Sequence, residues 1–349
     1  MALLSKSRIS RDVPVPSQSI KQKSIYLGLI GVIFIFLSLL VSIGLGAVWV
    51  HPSVVLDSIF SFEGDKIEHQ LIHEVRIPRA LTAALVGAAL AVAGTIMQGI
   101  TRNPLADPSI IGITHGAGLA IALALVFFTS GSYWILLLWS FLGSALGAFL
   151  VLLFAMISKD RVSPVTLTLA GAALSTLFSA LSTGIALYFQ VAQDLSFWLA
   201  GGLSGTKWIH VYLLLPTVFI GLLLSLWISR SLTLLSMGEE VAIGLGHSTQ
   251  KVRWISLITV VLLSGTAVSI AGAIGFIGLV IPHMIRLLVG SDYKVVLPLS
   301  AIGGALLLVI ADIGARMLNP PFETPVSAVT ALVGVPFFLY LSRQKRGSM

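Results

Sequence analysis

The chain has 349 residues, of which 56% are hydrophobic and only 10% charged, with 33 glycines and no cysteine. Soluble domains carry roughly 25% charged residues, so this balance excludes an ordinary soluble enzyme, a disordered chain and a coiled coil. The lack of cysteine excludes a disulfide frame, a thiolate zinc site and a cysteine nucleophile. A mean hydropathy of +1.01 and about 20 residues per crossing predict about ten to twelve transmembrane helices. The net charge of +7 then asks which side of the membrane the basic residues occupy.

In chain order, residues 1–24 read as a disordered cytoplasmic tail. It holds Lys6, Arg8, Arg11, Lys21 and Lys23, with Pro14 and Pro16 among serines. The apolar run Ile25 to Val48 is too long and starts too late for a cleaved signal peptide, and is expected to stay as an anchor. Further spans are predicted over 72–100, 109–129, 133–157, 165–189, 208–230, 252–273, 276–289, 295–316 and 326–342. The span at 276–289 is expected to be broken by Gly275, Gly278 and Pro282, with His283 bonding the freed backbone. Residues 25–343 thus form one transmembrane domain, and 344–349 a cytoplasmic tail.

Ten spans put both termini on one side. That side collects sixteen of the 21 basic residues: the five of the tail, Arg102, Lys159, Arg161, Arg230, Lys251, Arg253, Arg286, Lys294, Arg343, Lys345 and Arg346. The opposite side holds Lys66, Arg76, Arg79, Lys207 and Arg316. Basic residues gather on the cytoplasmic side, so the orientation is N-in and C-in, and the charge excess reads as topology rather than as a nucleic-acid surface. Ala93-Gly94-Thr95-Ile96 and Ala271-Gly272-Ala273-Ile274 suggest an internal repeat.

Several features could carry chemistry. The chain has no G-x-x-x-x-G-K-[ST] loop, so ATP-driven transport would need a separate hydrolysing subunit. In the cytoplasmic loop 231–250, Gly238-Glu239-Glu240-Val241-Ala242-Ile243-Gly244-Leu245-Gly246 predicts a short helix begun by the acids and ended by glycine. It reads either as a docking knob for a motor subunit or as a plain solvated helix. Arg76 and Arg79 at the outer end of span two, and Arg316 at that of span nine, read either as snorkelling cations or as a site for carboxylates of an outside partner. Asp312 and Arg316 are four apart and share a helix face, as an ion pair or part of a proton relay. His69 and His73 have helical i, i+4 spacing but no third placed ligand, so metal binding is not indicated. Gly112-x-x-x-Gly116 and Gly143-x-x-x-Gly147 predict closely packed helices.

Longer stretches carry a resemblance. Residues 87–118 read GAALAVAGTIMQGITRNPLADPSIIGITHGAG, and 272–290 read GAIGFIGLVIPHMIRLLVG. With RIPR at 76–79, WLAGGLSG at 198–205, MGEEVAIGLG at 237–246 and Ala311 to Arg316, they resemble the permease subunits of iron-siderophore and vitamin B12 ABC importers, over about 27–343. The resemblance implies the all-α type II importer permease fold in a bacterial cytoplasmic membrane. The subunit would pair with a second permease, as homodimer or heterodimer, and line a path along the pair interface. It would work with two ATPase subunits inside and a substrate-binding protein outside. No cofactor or catalytic residue is implied. Residues 238–246, notably Gly238, Glu239, Glu240, Ala242, Gly244, Leu245 and Gly246, are similar to the family's ATPase-coupling helix. Arg76, Arg79 and Arg316 are similar to its binding-protein docking arginines. Ser163, Pro164, Val165 and Thr166 are similar in position to its cytoplasmic gate. The implied cargo is a ferric siderophore, with cobalamin or haem as alternatives. An ion-coupled carrier working alone and an intramembrane enzyme are the competing classes; the second lacks a catalytic pair within the spans.

Overall fold

In the computed structural model the described residues are 18–46, 50–128, 133–157, 164–320 and 322–346. Among them the regular structure is all helical. Seven helices are long and apolar enough to cross a membrane, and three shorter apolar ones accompany them. The ten agree with the ten spans read from hydropathy.

The helices are α1 (Gln18–Gly44), α2 (Pro52–Phe60), α3 (Ile67–Leu71), α4 (Ile77–Thr101), α5 (Ile113–Phe127), α6 (Tyr133–Ile157), α7 (Pro164–Tyr188), α8 (Ala192–Ala200), α9 (Trp208–Met237), α10 (Glu239–Gly244), α11 (Thr249–Ala271), α12 (Ile277–Val289), α13 (Tyr293–Met317) and α14 (Val326–Arg346). A π turn, Ile72–Arg76, joins α3 to α4, and a 3-10 turn, Pro108–Ile111, precedes α5. We call the face with the basic loops inner and the other outer.

The central post is α4. Every residue from 86 to 101 is buried, as expected of a helix apolar on all sides. It packs on α9, α11, α12 and α13. The approach is close because glycines meet. A Cβ on Gly87 would land on the Gly304 carbonyl of α13, and one on Gly94 on the Gly278 carbonyl of α12. On the other side of the bundle, α5 and α6 bring Gly116 against Gly143 and Gly112 against Gly147. These are the small-residue motifs read from the sequence, now paired with each other.

Four expectations change. The helix of the first span starts at Gln18, so the end of the expected tail is helical; α14 likewise runs to Arg346, into the expected C-terminal tail. The coupling loop is shorter than 231–250, because α9 continues to Met237 and α11 begins at Thr249. Thirty residues of α9 reach about 45 Å, beyond a hydrocarbon layer of about 30 Å. The 93–96 and 271–274 stretches are not equivalent: the first lies inside α4, the second straddles the end of α11.

Of the breakers expected at Gly275, Gly278 and Pro282, only Gly275 lies in the break. Residues 272–276 are unwound, and α12 runs unbroken through Pro282. Proline lacks the N–H that would bond the carbonyl four residues back, which is that of Gly278. Gln98 of α4 donates to this carbonyl through Nε2 at 3.0 Å. His283, of which that role was expected, lies edge-on to Phe337. The Gln98 amide oxygen in turn accepts from Arg286.

Candidate functional site: two ends of a permease

At the outer end, three arginines converge. α4 supplies Arg79 two residues after its start, α13 supplies Asp312 and Arg316 on one face, and the π turn supplies Arg76. Arg79 donates through Nε and Nη2 to Asp312 Oδ1, at 3.0 and 2.9 Å, and through Nη1 to Glu323 Oε1 at 2.6 Å. Arg316 pairs with Asp312 Oδ2 at 3.1 Å, the intrahelical pair that the spacing predicted. Its other N–H groups hold the C-terminal end of α1, reaching the carbonyls of Ser42 and Leu45 at 3.1 and 2.9 Å. Arg76 donates to the carbonyls of Ile43 and Gly44 at 2.7 and 2.8 Å.

All three arginines are buried, and Asp312 is fully so. Snorkelling cations would be exposed, so that reading is excluded by geometry. A buried guanidinium is tolerable only when its donors are satisfied and its charge is countered, which is why two carboxylates and four carbonyls surround these three. The exception to burial is Glu323, 43% exposed.

Arg79 and Glu323 stand on the wall of an outer cavity of about 970 Å³, also lined by Tyr133, Trp198, Ser204 and Gly272. Below it a second cavity of about 170 Å³ is lined by Asp107, Ser109, Thr114, Ser264 and Gly275. The unwound segment 272–276 contributes to both. Its first residue, Gly272, has φ +68, and a Cβ there would strike the Trp198 carbonyl, so glycine is required. Irregular backbone at membrane depth is tolerated where protein or a cavity surrounds it.

His69 and His73 serve the outer loop rather than a metal. His69 Nδ1 accepts from the Glu63 N–H at 3.1 Å, and His73 Nε2 lies 2.8 Å from the Ser58 carbonyl. Among the described residues no group of histidine and acidic side chains could hold a metal ion. Lys66 bonds Glu63 at 2.7 Å and thereby holds that carboxyl below its ordinary pKa.

At the inner end, the predicted short helix is present as α10. Gly238, with φ 145, breaks it from α9. Gly246, at φ +80, ends it: His247 N–H bonds the Ala242 carbonyl at 3.0 Å and Gly246 N–H that of Ile243 at 2.9 Å. This is a Schellman end, which needs the left-handed residue where Gly246 stands. Ala242 is buried as the anchor. Gly244, Leu245, Gly246 and Glu240 are exposed, as are the apolar Val241 and Ile243. Glu239 turns back into the bundle, to Arg253 at 2.9 Å and the Thr249 hydroxyl at 3.1 Å.

Of the gate residues, Ser163 lies outside the described residues. Pro164 takes the first position of α7, where its missing N–H costs nothing; Val165 is exposed and Thr166 half-buried. The sequence reading missed the exposed stripe of α7. Thr168, Ala172, Thr176, Ser179 and Thr183 fall on one helical face and all are exposed. Leu169, Leu177, Leu181 and Leu187 of α7 are exposed beside this stripe, whereas the exposed face of α1 is apolar at Leu29, Ile33, Phe36 and Leu37. The spacing of the hydroxyls was visible, but not the direction in which they point.

The ten apolar helices among the described residues, with a short helix held off the inner face, make a multi-pass membrane protein with the architecture of a type II ABC importer permease. A solved structure reported as an inward-facing metal-chelate type ABC transporter superposes with a TM-score of 0.80 at 32% identity, covering 92% of this chain and 99% of that one. The chain belongs to the FecCD transport family, whose model matches residues 33–344. It is 52% identical over 316 residues to the iron(3+)-hydroxamate import system permease protein FhuB of Bacillus subtilis, covering 90% of this chain and 82% of that one. It is 40% identical over 315 residues to the Fe(3+) dicitrate transport system permease protein FecD of Escherichia coli, covering 89% of this chain and 97% of that one. These relatives are transport components, not enzymes, and the chain shares that class.

Proposed function

We propose that this chain is the permease of an ATP-driven importer in a bacterial cytoplasmic membrane, and that it passes a ferric chelate of the siderophore class inward by alternating access. The observation that carries the reading is α10. Val241, Ile243 and Leu245 are exposed apolar side chains on a helix that α9 holds beyond the membrane's apolar layer. An apolar tip in water calls for a protein partner, here a motor subunit in which Glu240 and the glycine-bounded helix seat. Two such ATPase subunits would serve two permease subunits, this chain and a second copy or sister.

The path in this reading runs along the α7 stripe. Hydroxyl-bearing faces are poor partners for lipid tails, and they suit a wet path or a facing subunit. Pro164, Val165 and Thr166, at the inner end of the same helix, form the gate. On the outer side the binding protein presents a carboxylate to Arg79 in the 970 Å³ cavity, where Glu323 is the exposed acid it would replace. Arg76 and Arg316 keep that site in shape through the end of α1.

The test is co-purification of ATPase subunits with the chain, followed by ATP-dependent uptake of a ⁵⁵Fe-labelled ferric trihydroxamate in reconstituted vesicles. Uptake without any ATPase subunit would instead establish an ion-coupled carrier. Uptake of cobalamin or haem in place of the ferric chelate would reassign the cargo and leave the machine as described.

A further inference from the structure

The two acids at the start of α10 face different ways. Glu240 is exposed. Glu239 is bonded to the bundle by both carboxylate oxygens: Oε1 accepts from the Thr249 hydroxyl at 3.1 Å, and Oε2 from Arg253 Nη2 at 2.9 Å. Arg102 Nη2 lies 4.0 Å from the same Oε2. Thr249 and Arg253 belong to the first turns of α11, and Arg102 caps the inner end of α4. Arg253 is 11% exposed at its side chain, so the pair is partly withdrawn from water and stronger than an open surface pair.

These three contacts tie α10 to α4 and α11, which belong to the two most deeply buried of the long apolar spans. Its other attachment is to α9, through the buried Ala242 and, just past its end, His247 Nδ1 at 3.0 Å from the Ser231 hydroxyl. The helix is bounded by Gly238 and Gly246, both in backbone conformations suited to glycine, so it can pivot at either end. α4 is an uninterrupted helix that carries Arg102 at its inner end and Arg79 in the outer ion cluster. A displacement entering through Glu239 therefore meets a rigid rod whose other end is the wall of the outer cavity.

We propose that Glu239 is the strut that carries the motion of α10 into α4 and α11, and that it does not touch the motor subunit. This rests on the reading of α10 as the motor-facing element. Glu240, Val241, Ile243 and Leu245 make the contact; Glu239 makes the connection. It is a positioning residue, acting through Arg253 and Arg102.

The chain has no cysteine, so it adds no background label of its own, and its partners are used as cysteine-free versions. In the full transporter, co-expressed with its permease and ATPase partners, labels at Val75→Cys and Tyr188→Cys report the π turn that leads into α4 and the outer end of α7. The parental chain is expected to change this distance on adding ATP. Glu239→Gln should retain the ATPase subunits in full and lose the ATP-driven distance change. Arg253→Gln should do the same, and the double variant should be no worse than either, because one strut is removed in all three. Glu240→Lys should lose the ATPase subunits themselves. Glu239→Gln that keeps the distance change, or that sheds the ATPase subunits as Glu240→Lys does, overturns the strut. A parental chain that captures no ATPase subunit fails at an earlier step, and removes the α10 reading together with this proposal.

Discussion

Arg79 and Asp312 lie 233 positions apart in the chain, and they meet with Nη2 2.9 Å from Oδ1 at the outer end of the bundle. The contact joins α4 to α13. Through Arg316, on the other oxygen of the same carboxylate, it reaches α1 as well. One buried acid thus fixes three helices, and the cluster around it sets the outer wall of the larger cavity.

That geometry separates the two acids of the cluster. Asp312→Asn leaves two buried guanidinium groups without their shared counter-charge. It is expected to destabilise the chain by about 3–5 kcal/mol. Glu323→Gln removes a half-exposed partner and should cost under about 1 kcal/mol. Thermal unfolding of both variants in detergent, side by side, checks the contrast; equal losses would mean that burial does not set the energetics here.

The glycine contacts of α4 are equally specific. Gly94→Val puts a branched side chain onto the Gly278 backbone, which cannot yield as a flexible side chain would. Overpacking of this kind costs at least about 1–3 kcal/mol, and the variant should fail to accumulate as a monodisperse species. A Cβ on Gly184 of α7 would meet nothing within 4 Å, so Gly184→Ala should accumulate normally. Size-exclusion profiles of the two extracted variants distinguish a packing requirement from a general need for glycine.

Gln98 serves two partners at once. Gln98→Leu strips the Gly278 carbonyl of its donor and Arg286 of an acceptor. Each buried polar group left unsatisfied costs about 1–3 kcal/mol, so the variant should unfold at lower temperature than the parental chain. Restoring the missing backbone donor with Pro282→Ala should recover part of that loss. No recovery would show that Gln98 acts on Arg286 alone.

The α7 stripe separates folding from transport. Thr183→Phe projects a large ring from an exposed face, so the chain should fold and reach the membrane unchanged. If that face borders the path, uptake of ⁵⁵Fe-labelled chelate should fall sharply, while the same change at Leu29 on α1 should leave it intact. Equal uptake in both would place the path elsewhere.

Much of this molecule was legible in its sequence. The crossings follow from runs of apolar residues, and the orientation from sixteen basic residues on one side against five on the other. The bounds of α10 follow from two acids and two flanking glycines. The Asp312–Arg316 pair follows from an i, i+4 spacing. Each of these is set by interactions within a few turns of backbone or by the partition of one segment between lipid and water.

What the chain order could not reveal was which of these elements meet. The arginines at 76, 79 and 316 read as surface groups because nothing nearby in sequence neutralises Arg79; its partners Asp312 and Glu323 come from the other end of the chain. Nothing around Gln98 in the sequence points to its role, because the carbonyl it bonds is left free by Pro282, 184 positions on. The same holds for α7, whose hydroxyl stripe has a helical period in the sequence but gains a direction only when α5, α6 and α8 cover the other side. Class and spans were settled along the chain, since local hydropathy decides them. The ion cluster, the cavities and the contacts of Glu239 came only with the packed bundle, because desolvation and pairing of charge depend on what packing brings alongside.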